Sequence, residues 1–183
     1  MTAVGGIWNG GMRNGDLQAD SLTTGGFAAS SQNKAGDWQA AAIAHFVDNT
    51  TGLRPDKIDP TQRCVPDVSA YDDEIVVVYG DGVQGALSGT SAACPMVAGM
   101  LASINGALAA AGHDTTLGFA NPFLYANQDA FLDITKGYNR GFSAVEGYDP
   151  VSGLGTFSTT TYSLLKEAAL AAAGRRVAMA KAN

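Results

Sequence analysis

The stretch Val83-Gln84-Gly85-Ala86-Leu87-Ser88-Gly89-Thr90-Ser91-Ala92-Ala93-Cys94-Pro95 passes from an extended run, through a small polar turn, into an alanine-rich segment. Ahead of it, Glu74 to Tyr79 and Val83 to Leu87 flank Gly80-Asp81-Gly82. Asp-Gly tolerates the positive φ of a tight turn, so this spacing predicts a β-hairpin. Behind it, a helix is expected from about Ala92 to Ala111, ended by Gly112. Ala98, Gly99, Ala102 and Gly106 recur on that helix at spacings of three and four and are expected to pack it closely against a sheet. Ser91 then stands after a strand and a glycine, at a helix N-terminus, where free backbone N–H groups and the positive end of the dipole converge. Such a place suits a nucleophilic oxygen, whose attack creates an oxyanion that needs donors. It also suits a plain N-cap, supplied by Ser91 or Thr90. Pro95 is expected within the first turn, where its missing N–H costs nothing.

The rest of the chain reads as one α/β unit without repeats or an internal linker. Residues 2 to 4 are compatible with the end of a buried strand, and the glycine-rich residues 9 to 26 with a surface loop. Asp37 is placed to cap a helix from about Trp38 to Asp48, with Ala41, Ala44 and Phe46 among its apolar positions. Residues 49 to 62, with Gly52, Pro55 and Pro60, read as loop, and Val65 to Ala70 as a short strand. Asn121-Pro122 opens a short helix to about Ala126, and residues 128 to 157 form a loop region. The last helix is expected from Thr159 to Ala173, with a tail over residues 175–183 whose basic residues lie near the negative helix end.

Composition narrows the function. A length of 183 residues is usual for one domain, and 46% hydrophobic residues suffice for a core and argue against disorder. Glycine is high, at 23 residues, and charged residues are few, at 15% against ~25% in average proteins. The net charge is -6 and the 11 Lys and Arg are scattered, which argues against a nucleic-acid partner. The N-terminus has neither a basic region nor a long apolar core, so it does not read as a signal peptide. Pro95 to Gly112, broken by Ser103 and Asn105, reads as a poor membrane span, so no membrane partner is expected. Cys64 and Cys94 exclude a dense disulfide scaffold and a four-cysteine zinc site; they are compatible with one bridge or two buried thiols.

Several segments, in order, resemble one family. Gly89-Thr90-Ser91-Ala92 with Pro95 is similar to the nucleophile segment of subtilisin-like serine peptidases. Thr2-Ala3-Val4-Gly5-Gly6 resembles a strand leading into a Val-Gly-Gly-Thr turn, with Ile7 in place of Thr. Gly25-Gly26-Phe27 and Trp38-Gln39 resemble Gly-Gly-Phe-Ser and Trp/Tyr-Gln elements, with Ala28 in place of Ser. Arg63 to Ala70 resembles an Arg-x-x-Pro-Asp-Val segment, and Leu117 to Tyr125 a Leu-Gly-x-x-Asn-Pro-x-Leu-Tyr segment. Asp133-Ile134-Thr135 with Gly137 and Asn139, and Gly147 to Thr156, resemble a calcium region. Together these segments, over about residues 2 to 170, resemble the sedolisins, the serine-carboxyl peptidases that include the tripeptidyl peptidases.

The resemblance implies a subtilisin-like doubly wound α/β fold with a mostly parallel sheet, present here as its C-terminal portion over residues 1–174. It implies Ser91 as nucleophile, a polypeptide substrate, and an extracellular or lysosomal, acidic location. His45 falls inside a helix and His113 follows Gly112, so neither has the setting of a triad base. The family instead uses a glutamate oriented by an aspartate, and a carboxylate accepts a proton only while ionised, which suits acid. One Ca2+ ion is implied, held by Asp133 and Asp149 carboxylates and by the carbonyls of Ile134, Val145 and Gly147. Val145 stands where the family has glycine, and the same aspartates are also suited to shaping turns. The family's Glu, Asp and oxyanion aspartate lie upstream of the Val-Gly-Gly segment, and no residue here matches them. The chain is therefore expected to need an upstream N-terminal half for activity. The alternatives are an inactive calcium-binding or interaction remnant, and an unrelated hydrolase using Ser91 with another base.

Overall fold

The computed structural model describes residues 1–8, 16–29, 32–51 and 55–182. Strand β1 (Val4–Trp8) pairs in parallel with β5 (Val68–Tyr71) and antiparallel with the short β2 (Gln18–Ala19), giving the order β2-β1-β5. A parallel bridge from Ser69 to Thr156 extends this sheet. Strands β3 (Gly26–Phe27) and β4 (Cys64–Val65) form a second pair. The expected strand over 65 to 70 is thus two strands, parted by the Val65-Pro66 bond, which is cis. The strand expected to end at residue 4 begins there, and the expected loop over 9 to 26 carries β2 and the start of β3; residues 9–15 lie outside the described residues.

The hairpin forms as read. β6 (Ile75–Tyr79) and β7 (Val83–Leu87) pair with Tyr79 opposite Val83, and Gly80 and Gly82 turn the chain at φ 58° and 89°. Val76, Val78, Tyr79 and Leu87 stand exposed on it.

Helix α1 (Asp37–Asn49) starts one residue earlier than expected, with Gly36 as its N-cap and no side-chain cap, so Asp37 acts as a first-turn acid. It buries Gln39, Ala42, Ile43 and Phe46, while Ala41 and Ala44 are exposed, a rotation of the expected face. Helix α2 (Thr90–Ala110) ends in a Schellman turn: Gly112 N donates to Ala109 O at 2.9 Å and His113 N to Leu108 O at 3.0 Å. Its mean hydropathy of 1.5 and its length meet the requirement for a membrane span, contrary to the sequence reading. In this fold it packs on β1 and β5 instead, burying Ala93, Val97, Ile104 and Leu108.

The small residues of α2 face the other way. Ala98, Gly99, Ala102 and Gly106 are exposed, and a Cβ at Gly99 or Gly106 would meet nothing within 4 Å. The sheet takes the bulky face of α2 and the small face is left open. Pro95 also differs from expectation: it lies in the second turn, where its missing N–H leaves the Ser91 carbonyl without its helical donor.

Helix α3 (Asn121–Tyr125) packs against α1, and helix α4 (Thr159–Ala182) against α2. Ser158 caps α4, accepting from Thr161 N at 3.1 Å. Gly174 does not end α4, and residues 175–182 continue it rather than forming a tail. One helical glycine costs only about 1 kcal/mol, which alanine-rich flanks absorb. Short 3-10 turns lie at Pro55–Lys57 and Gln128–Ala130.

Candidate active site and loop centre

Ser91 is the second residue of α2 and is exposed. The turn before it is fixed from below. Gly89 adopts φ 127°, its N–H donates to the Asp72 carbonyl at 2.5 Å, and its own carbonyl accepts from Ala92 N at 2.8 Å. Ser88 Oγ donates to Asp73 Oδ1 at 2.8 Å and accepts from Glu74 N at 3.1 Å. β5 and the hairpin therefore hold the turn, while the Ser91 hydroxyl makes no hydrogen bond to any described residue. Neither Ser91 nor Thr90 is the N-cap of α2: that position is Gly89, with no side-chain cap hydrogen bond.

Neither histidine is hydrogen-bonded to Ser91. His113 follows the far end of α2, about 30 Å of helix away. His45 is exposed on α1 beside Gly147, where a Cβ would lie 3.3 Å from the imidazole. A groove of about 1320 Å³ runs past Phe27, Trp38, Arg63, Phe119 and Phe142, and no residue of α2 lines it.

Asp133, Ile134, Val145, Gly147 and Asp149 come together in one loop cluster. Asp133 Oδ2 accepts from Gly147 N at 2.8 Å, and Asp149 Oδ2 from Val145 N at 3.0 Å. Asp149 Oδ1 accepts from Val151 N and Ser152 N, both at 2.8 Å, and Ser152 Oγ donates to Ile134 O at 3.4 Å. Gly147 takes φ 80° to aim its N–H at Asp133. Burial pushes Asp149 up to about 6 and raises Asp133, against the lowering effect of these N–H donors. Asp133 Oδ1 is buried and has no hydrogen-bond partner among the described residues. Among the described residues no group of three or more His, Cys, Asp or Glu side chains is arranged for a metal. A centre here would rest on two carboxylates and backbone carbonyls, a donor set suited to calcium.

A polar hub ties together the segments of Trp38-Gln39, Arg63 to Ala70 and Leu117 to Tyr125. Asp67, fully buried, accepts from Ala3 N at 2.7 Å, Arg63 Nη2 at 2.5 Å, Asn121 Nδ2 at 3.1 Å and Tyr125 OH at 2.9 Å. Gln39 extends it, accepting Cys64 N–H at 3.2 Å and donating to Cys64 O at 2.6 Å and to Tyr125 OH at 2.8 Å. Tyr148 OH donates to the Pro66 carbonyl at 3.1 Å. Arg63 lies over the Trp38 ring, 5.0 Å from its centroid. The signal was present: these are polar residues inside otherwise apolar segments. Cys64 is buried and Cys94 exposed, both as free thiols, and burial pushes the Cys64 thiol up to about 12.

No family model matches the chain. Over 99 residues it is 48% identical to tripeptidyl-peptidase sed1 of Aspergillus fumigatus, covering 51% of this chain and 15% of that protein. Over 164 residues it is 30% identical to tripeptidyl-peptidase 1 of Dictyostelium discoideum, covering 84% of this chain and 26% of that one. Over 137 residues it is 42% identical to aorsin of Aspergillus oryzae, covering 66% and 21%. The chain thus spans about a quarter or less of the length of these relatives. Among solved structures it is similar to Pseudomonas sedolisin, a serine-carboxyl proteinase complexed with two molecules of pseudo-iodotyrostatin, at TM-score 0.62 and 19% identity, covering 91% of this chain and 45% of that one. That likeness establishes the subtilisin-like α/β fold expected from the sequence. With the relatives, it shows that the chain belongs to the sedolisin family of peptidases, as a portion of its catalytic fold.

Proposed function

We propose that the chain supplies the nucleophile half of an acid serine peptidase acting on polypeptides, with Ser91 attacking the scissile carbonyl. The observation that carries this reading is the Ser91 hydroxyl, exposed and unpartnered at the free N-terminus of α2. A glutamate base and orienting aspartate from an upstream half would take its proton, and an upstream aspartate would donate to the oxyanion. Ser91 Oγ would form an acyl ester, releasing the amine product, and water would then cleave the ester. The uncovered small face of α2 and the exposed hairpin residues Val76 and Val78 are surfaces for that half to cover. An ionised carboxylate base suits an acidic setting, extracellular or lysosomal.

A calcium ion fits the loop cluster, on the ground of the orphaned, buried Asp133 Oδ1. Asp133, Asp149 and the carbonyls of Ile134, Val145 and Gly147 would hold it. The ion would supply positive charge that offsets the burial of two carboxylates, a structural role.

The test is the complete protein assayed in acid against peptide amides, beside Ser91→Ala. Loss of turnover in the variant supports the reading, and retained turnover overturns it. Because no described residue acts as base to Ser91, an inactive calcium-binding remnant is the second reading. It is favoured if the coding sequence upstream of Met1 lacks a Glu-x-x-x-Asp helix and a Gly-Asp-x-Gly segment.

A further inference from the structure

The groove past Phe27, Trp38 and Phe119 reverses the charge of the chain. Asp and Glu outnumber Lys and Arg by 17 to 11, yet Lys34, Lys57, Arg63 and Arg140 line the groove and no Asp or Glu does. Two of these cations are engaged: Arg63 pairs with Asp67, and Lys34 Nζ donates to Thr61 Oγ1 at 2.9 Å. Lys57 and Arg140 are exposed and have no ion pair with any described residue. The same walls carry apolar side chains in the open: Leu22, Phe119 and Tyr138 are 68%, 54% and 65% exposed. Phe119 stands edge-on to Trp38 with centroids 5.8 Å apart, and Phe27 lies 5.9 Å from Phe142. An exposed apolar patch rimmed by charge marks an interaction surface. The patch is also held in place. Buried Asn139 donates through Nδ2 to Gly25 O at 3.1 Å, and its Oδ1 accepts from Gly141 N at 2.9 Å and Phe142 N at 2.8 Å. This one side chain fixes the turn bearing Arg140 and Phe142 against the residue before β3, so less ordering is left for a partner to impose.

We propose that this groove docks an extended acidic segment of a separate polypeptide, with an aromatic or branched apolar side chain against Phe119 and Trp38 and carboxylates against Lys57 and Arg140. Charge complementarity selects the occupant. The net charge of -6 repels a nucleic acid, which carries a charge on every nucleotide. A peptide instead brings a few carboxylates to the two free cations and offers apolar groups to the rings. The exposed ion pairs steer and orient the segment, and burial of the rings supplies most of the affinity. No residue of α2 lines the groove, so the docking does not rest on Ser91 being the nucleophile.

The experiment titrates a capped, fluorescent peptide of alternating Glu and Phe into the complete protein near neutral pH and follows its anisotropy. Two further peptides carry Gln in place of Glu, or Ala in place of Phe. The Glu-Phe peptide should bind, and each control should bind on the order of tenfold more weakly. Phe119→Ala and the double variant Lys57→Glu/Arg140→Glu should each weaken the Glu-Phe peptide on the order of tenfold. All three side chains are exposed, so these changes leave the core intact. A peptide of alternating Lys and Phe should bind the double variant better than it binds wild type. Ser91→Ala should bind the Glu-Phe peptide as wild type does, which separates the groove from any hold on the peptide at the nucleophile. The proposal is overturned if the Glu-Phe peptide does not bind, if the Gln peptide binds equally, or if the groove variants bind like wild type. An oligo-dT strand bound as tightly as the peptide would also overturn it. So would self-association of the protein that the same groove variants abolish, since a second copy would then be the occupant.

Discussion

Tyr125 OH donates to Asp67 Oδ1 at 2.9 Å, joining α3 to the start of β5 across 58 residues of sequence. Arg63 and Asn121 complete the shell, so a fully buried carboxylate has a cation and three further donors. Taking the carboxylate away strands the Arg63 charge and the Ala3 and Asn121 donors together. Asp67→Ala should therefore cost about 3–5 kcal/mol, and Tyr125→Phe about 1–3 kcal/mol. Urea unfolding at neutral pH measures both, and wild-type midpoints in either variant would remove the hub from the account of stability.

The hub explains which parts of the sequence were legible. Hairpin turn, the end of α2 and short α3 follow from local chemistry: Gly80 and Gly82 at positive φ, Gly112 in a Schellman turn, Pro122 in the first turn of a helix. In the loop region, Asp133 bonds Gly147, Asp149 bonds Val145, and Ser152 bonds Ile134, links between residues that local pattern does not pair. What local pattern could not decide was which face a helix buries. Alanine fills both faces of α1 and α2, so the choice fell to tertiary partners, and the small stripe of α2 turned outward. The burial of Asp72 is hidden from local pattern for a related reason: its carboxyl packs against Gly6, far from it in sequence.

Calcium should stabilise this protein more at pH 6.5 to 7 than at pH 4. Burial raises Asp133, and raises Asp149 to about 6, so without the ion these two groups make the fold less stable as pH rises through about 6. The ion binds the ionised forms, so its contribution grows over the same range. The shift in melting temperature between calcium and chelator, measured at both pH values, checks this. Asp133→Asn and Asp149→Asn should each shrink that shift, and a shift of equal size at both pH values would count against the site.

Gly89→Ala isolates backbone strain from packing. A Cβ at Gly89 meets nothing within 4 Å, yet φ is 127°, a conformation that L residues rarely adopt. The cost should be about 1–3 kcal/mol, with no cavity or clash to share it. The Gly89 N–H bond to Asp72 should weaken with it, visible as faster amide exchange at Gly89. A variant as stable as wild type would show that the turn is not held at this dihedral in solution.

Gly99→Ala separates the two readings of function by its sign. On α2 the position is helical and open, and a Cβ there meets nothing within 4 Å. In residues 1–183 alone the substitution should therefore raise stability by about 0.5–1 kcal/mol, the helix-propensity gain of alanine over glycine. If an upstream half packs on this face, the added methyl enters a close helix contact, and overpacking should cost about 1–3 kcal/mol. The same change should then stabilise the 183-residue chain and destabilise the complete protein. Thermal unfolding of both forms reads the difference directly. Stabilisation in both would mean that nothing covers the small face of α2, and would favour the inactive remnant over the two-part peptidase.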